Sequence, residues 1–223
     1  MKNLVRKLPF AVEFGVVLLF AFGPFVFSAW RMMPRGQRAQ VRFSDTQLLY
    51  TIAIEAVLAL LLLGFLHLRG YTRADFPFRF APREWAIGAL LLVASYAAVI
   101  LATVLGAVWL GSDVFMARQM KVDVAVTLPI AIIGSLVNAF YEEIFVVGYL
   151  LRALEKSQGI AAATVFSVFV RFAYHIYQGP TAIFVVIPLG FVFAAFFVRT
   201  RNLWPLVLAH AVIDIIAFSV VPR

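Results

Sequence analysis

Six polar residues in the C-terminal half of the chain stand inside apolar runs: Glu142, Glu143, Arg171, His175, His210 and Asp214. A charged group at mid-bilayer costs roughly +2.5 to +3.5 kcal/mol on insertion scales, so each of these needs a partner or a function. Their types suit water activation. A carboxylate taken out of water is a stronger base, and an imidazole can pass a proton or donate to a developing oxyanion. Glu142 and Glu143 are adjacent, and neighbours on an α-helix point about 100° apart. One is therefore expected to face a reacting centre and the other a supporting partner. Arg171 and His175 are four residues apart, as are His210 and Asp214, so on a helix each pair shares a face. An Asp one turn from a His can orient the ring and favour its charged form. Alone, either pair is more often a satisfied buried network. Two such pairs beside a Glu–Glu pair in neighbouring spans point to a site.

The elements that must position these residues are membrane helices. The chain has 223 residues, 64% of them hydrophobic, with a mean hydropathy of +0.97. Soluble domains are about half apolar, so a single domain in lipid is expected. Runs of about 20 mostly apolar residues fall at roughly 9–30, 47–68, 86–110, 126–151, 159–178, 181–198 and 203–221. The expected fold is all-α, a polytopic bundle of about seven transmembrane helices. The runs are continuous rather than alternating, which argues against strands. Lys2, Arg6 and Lys7 precede the first run and Phe27-Ser28-Ala29 ends it, as in a signal peptide. The run is longer than a signal core and carries Glu13, so a retained first span is expected. Glu13 and Glu55 are expected to pair with a neighbouring helix or to lie near the interface.

The net charge is +8, from 19 Lys and Arg against 11 Asp and Glu. The cations cluster between apolar runs, in loops such as Arg31 to Arg42 and Arg69 to Arg83. The N-terminus and every second loop carry eleven of them and the other side seven, which favours a cytoplasmic N-terminus. No basic patch carries interleaved aromatics, so nucleic acid is not an expected partner. The chain has no cysteine, which excludes disulfides, zinc–thiolate sites and a cysteine nucleophile. Ser157-Gln158-Gly159 lies midway between Glu142 and His175. A turn there would make two antiparallel helices and bring both residues to one depth. His210 follows the Arg201-Asn202 turn by about eight residues, or roughly 12 Å of helix, a compatible depth from the same membrane face.

These residues resemble the CPBP family, also called Abi, which includes type II CAAX prenyl endopeptidases and proteins of bacteriocin processing or immunity. Its pattern is Glu-Glu-x-x-x-Arg, then Phe-x-x-x-His, then His-x-x-x-Asn or Asp. Here the three read Glu142-Glu143-Ile-Phe-Val-Val147, Arg171-Phe-Ala-Tyr-His175 and His210-Ala-Val-Ile-Asp214. The flanks Gly148-Tyr-Leu-Leu-Arg152 and Leu203-Trp-Pro are also similar to the family. The resemblance implies N-terminal spans and basic loops over 1–125 and a catalytic membrane core over 126–223. Two positions depart from the pattern. Val147 stands where Arg is usual, and Arg171 where Phe is usual. The guanidinium lost from one helix would then be supplied by its neighbour, pairing Arg171 with Glu143 or Glu142.

The resemblance implies an intramembrane endopeptidase acting on a membrane-associated peptide or protein. Glu142 would take a proton from water and His175 would hold that water. His210 would stabilise the oxyanion, Asp214 would orient His210, and Glu143 would support. The site then needs a polar opening to one side. No cofactor is expected, although two His with Glu and Asp could ligate zinc. The alternatives are a zinc-dependent protease using the same residues, or a non-catalytic immunity or scaffold protein. Acid, His and Arg chains also form proton relays in transporters, but nothing here resembles paired broken helices or inverted repeats. The expected location is the bacterial plasma membrane. The sequence does not indicate an oligomeric state.

Overall fold

The computed structural model describes residues 5–33, 40–117 and 121–220. It is an all-helical bundle with one small ribbon. In chain order the elements are α1 (Phe10–Met32), β1 (Gln40–Ser44), α2 (Asp45–Arg69), α3 (Pro82–Leu110), the short α4 (Ser112–Ala117) and β2 (Lys121–Ala125). There follow α5 (Leu128–Glu142), a π-helical stretch (Glu143–Leu151), α6 (Arg152–Ala173), α7 (Ile183–Thr200) and α8 (Trp204–Val220).

Five helical stretches are long and apolar enough to cross a membrane: Phe10–Met32, Asp45–Arg69, Pro82–Leu110, Leu128–Ala173 and Pro180–Thr200. The fourth runs for 46 residues but is broken at Gly159, whose φ of 79° and ψ of 163° are open to glycine and strained for other residues. It therefore forms two limbs that meet at that point. The shorter apolar helix Trp204–Ser219 completes seven limbs. The expected last limb of the 159–178 run ends early, because α6 stops at Ala173 and His175 lies beyond it in a non-helical turn.

The apolar runs are helices throughout, but strands do occur in the connections. β1 and β2 pair in parallel from Gln40↔Lys121 to Ser44↔Ala125. Each strand leads into a helix. Ser44 caps α2 through a reciprocal capping box with Gln47. The backbone N–H of Thr127 donates to Asp45 Oδ1 at 2.7 Å, so α2 and α5 start side by side and run in the same direction. Hydropathy averaged over 20 residues does not register five-residue strands.

The main core joins Val17, Ala21 and Phe22 of α1 to Leu62 and Leu66 of α2, with Phe145 to Leu151, Phe193 and Phe197 at its centre. Glu13 pairs across helices, as expected of it. It accepts from Arg69 Nε at 2.5 Å, Tyr71 Oη at 2.7 Å and Tyr149 Oη at 3.0 Å. At the same end of the bundle, Asn202 is buried in the turn before α8. Its Nδ2 donates to Glu84 at 2.8 Å, and its Oδ1 accepts from the backbone of Arg79 at 3.0 Å. These bonds fix where α8 begins and therefore how deep His210 lies.

Gly159→Ala forces a Cβ into a backbone region that costs about 1–3 kcal/mol. A lower unfolding temperature of the detergent-solubilised protein is expected. An unchanged melting curve would show that the turn is made some other way.

Candidate active site

The site is assembled where α5 gives way to the π-helical stretch. A π-helix closes hydrogen bonds from i to i+5, so its turn is wider than that of an α-helix. The change falls between Glu142, the last residue of α5, and Glu143, the first of the π stretch. Both carboxylates nevertheless reach one guanidinium and one imidazole, so the expectation of separate partners is corrected in part. Arg171 Nη1 donates to Glu142 Oε2 at 3.1 Å and Arg171 Nη2 to Glu143 Oε1 at 2.8 Å. Both carboxylates also flank His210. Its Nδ1 lies 2.7 Å from Glu143 Oε1 and its Nε2 lies 4.0 Å from Glu142 Oε2.

Arg171 reaches this position because α6 turns back at Gly159 and descends beside the π stretch. Its side chain is 2% exposed, and its guanidinium carbon sits 5.5 Å from the centre of the Phe193 ring on α7. The position of the usual Arg, Val147, is buried in the apolar core instead. A forked guanidinium can serve two carboxylates at once, which a lysine ammonium does less well.

His210 is held from α8. Glu143 makes the hydrogen bond to its Nδ1, a task the sequence assigned to Asp214. Asp214 Oδ2 instead lies 3.7 Å from the opposite ring nitrogen, Nε2, and accepts from Asn138 Nδ2 at 2.9 Å. The ligand atoms of Glu142, Glu143 and His210 lie within 4.8 Å of one another. His175 stands apart from this group. Its Nδ1 is 2.9 Å from the carbonyl of Arg171, and its ring lies beside those of Tyr174 and Tyr177.

Two participants escaped the sequence reading. Tyr174 Oη donates to Glu142 Oε2 at 2.6 Å, and its ring stacks on Phe22 of α1 at 5.8 Å. Asn138, one turn before Glu142, fixes Asp214. The signals were present, since Tyr174 lies inside the second motif and Asn138 one turn from the first. A tyrosine in an apolar run reads as packing, however, and gives no reason to single it out.

Glu143 is 0% exposed and His210 buried, whereas the Asp214 side chain is 23% exposed and His175 is half-buried, so Asp214 and His175 are the more exposed members of the site. Two cavities, of about 420 and 470 Å³, lie at the Arg152 and Lys156 end and do not include the site.

Residues 124–216 match the family described as type II CAAX prenyl endopeptidase, Rce1-like. The matched family falls within CPBP, a family of proteases, and the match is confined to this segment. With the long apolar helices, it supports an integral membrane protein. No curated protein and no solved structure matches the chain.

Arg171→Leu leaves two buried carboxylates without their cation, a loss of roughly 3–5 kcal/mol. The variant is expected to unfold at a much lower temperature in detergent than the parent, with Arg171→Lys between them. Wild-type stability in Arg171→Leu would refute the role of the guanidinium as the joint between α5 and α6.

Proposed function

We propose that this protein is an intramembrane endopeptidase that hydrolyses a peptide bond with water activated by Glu142. The observation that supports this most is the placing of Glu142, held by Arg171 and Tyr174, 4.0 Å from Nε2 of His210. Water gives a proton to the Glu142 carboxylate and its oxygen bonds to the scissile carbonyl carbon. The carbonyl oxygen becomes an oxyanion. As the C–N bond breaks, the proton held on Glu142 passes to the leaving nitrogen, so acid and amine are released and the carboxylate is restored.

The other residues serve this sequence. Tyr174 and Arg171 orient Glu142 through hydrogen bonds to its Oε2. Glu143 accepts from Nδ1 of His210, which leaves Nε2–H of the charged ring free to donate to the oxyanion. Asp214, steadied by Asn138, faces that same nitrogen and favours the charged ring. His175 donates from Nδ1 to the Arg171 carbonyl. Its Nε2 is then an acceptor for the attacking water.

Zinc fits this donor set poorly. Glu142, Glu143 and His210 are close enough to share an ion, but Arg171 already bonds both carboxylates. A divalent ion would have to displace a buried guanidinium. The reading is therefore metal-free. The substrate we infer is a membrane-associated peptide or protein of CAAX type, or a bacterial peptide, presented in the plasma membrane. With eleven of the cations on the side of the N-terminus, that face is the cytoplasmic one.

The test uses purified protein in liposomes with two internally quenched peptides, one farnesylated at a C-terminal CAAX sequence and one unmodified. Cleavage of either is expected. Glu142→Gln should lower the rate at least about a thousandfold, within the range of a lost general base and its preorganised surroundings. A variant as active as the parent would remove Glu142 from the chemistry. Exhaustive chelation is expected to leave the rate unchanged, and loss restored by zinc would replace this reading with a metal-dependent one.

A further inference from the structure

One buried carboxylate is not used by this mechanism. Glu55 lies near the middle of α2, 3% exposed, and its Oε2 has no hydrogen-bond partner among the described residues. Glu13, the other acid of the first two helices, is met by Arg69, Tyr71 and Tyr149. Glu55 has no comparable set of partners.

Helix geometry places Glu55 beside the site. α2 and α5 start together at the Thr127–Asp45 bond and run in parallel. They then approach so closely that a Cβ on Gly134 would lie 2.8 Å from the Leu48 side chain. Two further turns, about 10 Å of rise, carry Leu48 to Glu55 and Gly134 to Tyr141. Glu55 therefore stands level with the turn that holds Asn138, Tyr141 and Glu142. The groups that act on it electrostatically are Glu142 of α5, and Asp214 and His210 of α8. Tyr141 of α5 in turn feels the charge of Glu55. The charged pair of α1 and α2, Glu13 and Arg69, is joined to itself at the far end of the helix.

Charge balance gives Glu55 its role. The site holds four carboxyl groups, Glu55, Glu142, Glu143 and Asp214. Against them stand Arg171 and, when protonated, His210. Asp214 is 23% exposed and can be solvated, which leaves three buried carboxyl groups against two cations, a surplus of one negative charge that is carried as a proton. Glu142 and Glu143 each bond Arg171, and Asp214 has Asn138 and His210. We propose that Glu55 is a further acid of the site, a positioning residue that holds a proton beside Glu142 and Asp214. The negative charge then stays on Glu142, where water is activated. Ionised, Glu55 would set an uncompensated charge against the developing hydroxide and oxyanion. It touches no reacting atom and acts through Glu142. The inference rests on the protease reading, and it recruits a residue of α2, outside the segment 124–216 matched by the family.

Two measurements test it, one of which needs no turnover. Infrared spectra of the whole protein in liposomes at neutral pH should show the carbonyl stretch of a protonated carboxylic acid. Glu55→Gln should remove that band and Glu142→Gln should keep it. The pH profile of kcat/KM on the farnesylated quenched peptide gives the second readout. Glu55→Gln should move the alkaline fall upward by about one pH unit or more. A purely structural side chain would lower the rate at all pH values and leave the inflection in place. An infrared band of unchanged intensity in Glu55→Gln, or an unmoved inflection, overturns the inference. A parent protein that shows the Glu55 band yet cleaves neither peptide would support the proton on Glu55 and count against the protease reading alone.

Discussion

One guanidinium in the membrane interior fixes the geometry of the C-terminal bundle. Arg171 cannot leave its two carboxylates without exposing three charged groups to hydrocarbon, and each such exposure costs several kcal/mol. Everything around it follows from that demand. α6 must turn back at Gly159 to bring the side chain to the right depth. Neighbouring carboxylates must both reach one fork where α5 gives way to the π stretch. α8 must start where Asn202 anchors it, so that His210 meets Glu143. The ion pairs serve less as a source of net stability than as a condition that few arrangements of these helices meet, since buried pairs seldom outweigh their own desolvation.

The exchange between positions 147 and 171 follows the same logic. What the two carboxylates require is a cation between them, and the helix that supplies it is secondary. With Val147 packed among apolar residues, the π stretch is free of charge on that side. The charge arrives from α6, with the Phe193 ring beside it. The backbone carbonyl at 171, which any residue there supplies, orients His175, so the exchange leaves that contact open to either residue.

The spans were legible in the sequence because length and apolarity are the only properties a membrane helix must show. The turn at Gly159 was legible from its place midway between two polar clusters. The six site residues were legible as anomalies of burial, and all but His175 meet in one network. His175 was not placed by helical spacing, because the helix ends at Ala173 and the ring meets the network through the Arg171 carbonyl. The shared partners of Glu142 and Glu143 were illegible because a 100° offset does not say how far two long side chains reach, and no residue pattern in Glu143–Leu151 announces the π stretch. The β1–β2 ribbon was missed for lack of length. The ring nitrogen that Asp214 faces was not legible, because i, i+4 spacing says that two side chains meet, not which atoms do.

The site is also not the product of one half of the chain. Ala21 accepts from Tyr141 Oη at 2.8 Å, and Phe22 stacks on the tyrosine that donates to Glu142. α2 brings Glu55 to the level of that same turn. The three sequence motifs lie in the second half because the reacting groups must be of fixed type. The walls contributed by α1 and α2 need only exclude water, fill space and carry one acid. Many sequences meet such requirements, so these helices have no recognisable pattern, although the acids they enclose would be too costly in lipid without them. Composition alone marks the helices that close the site, whereas residue identity marks those that carry out its chemistry.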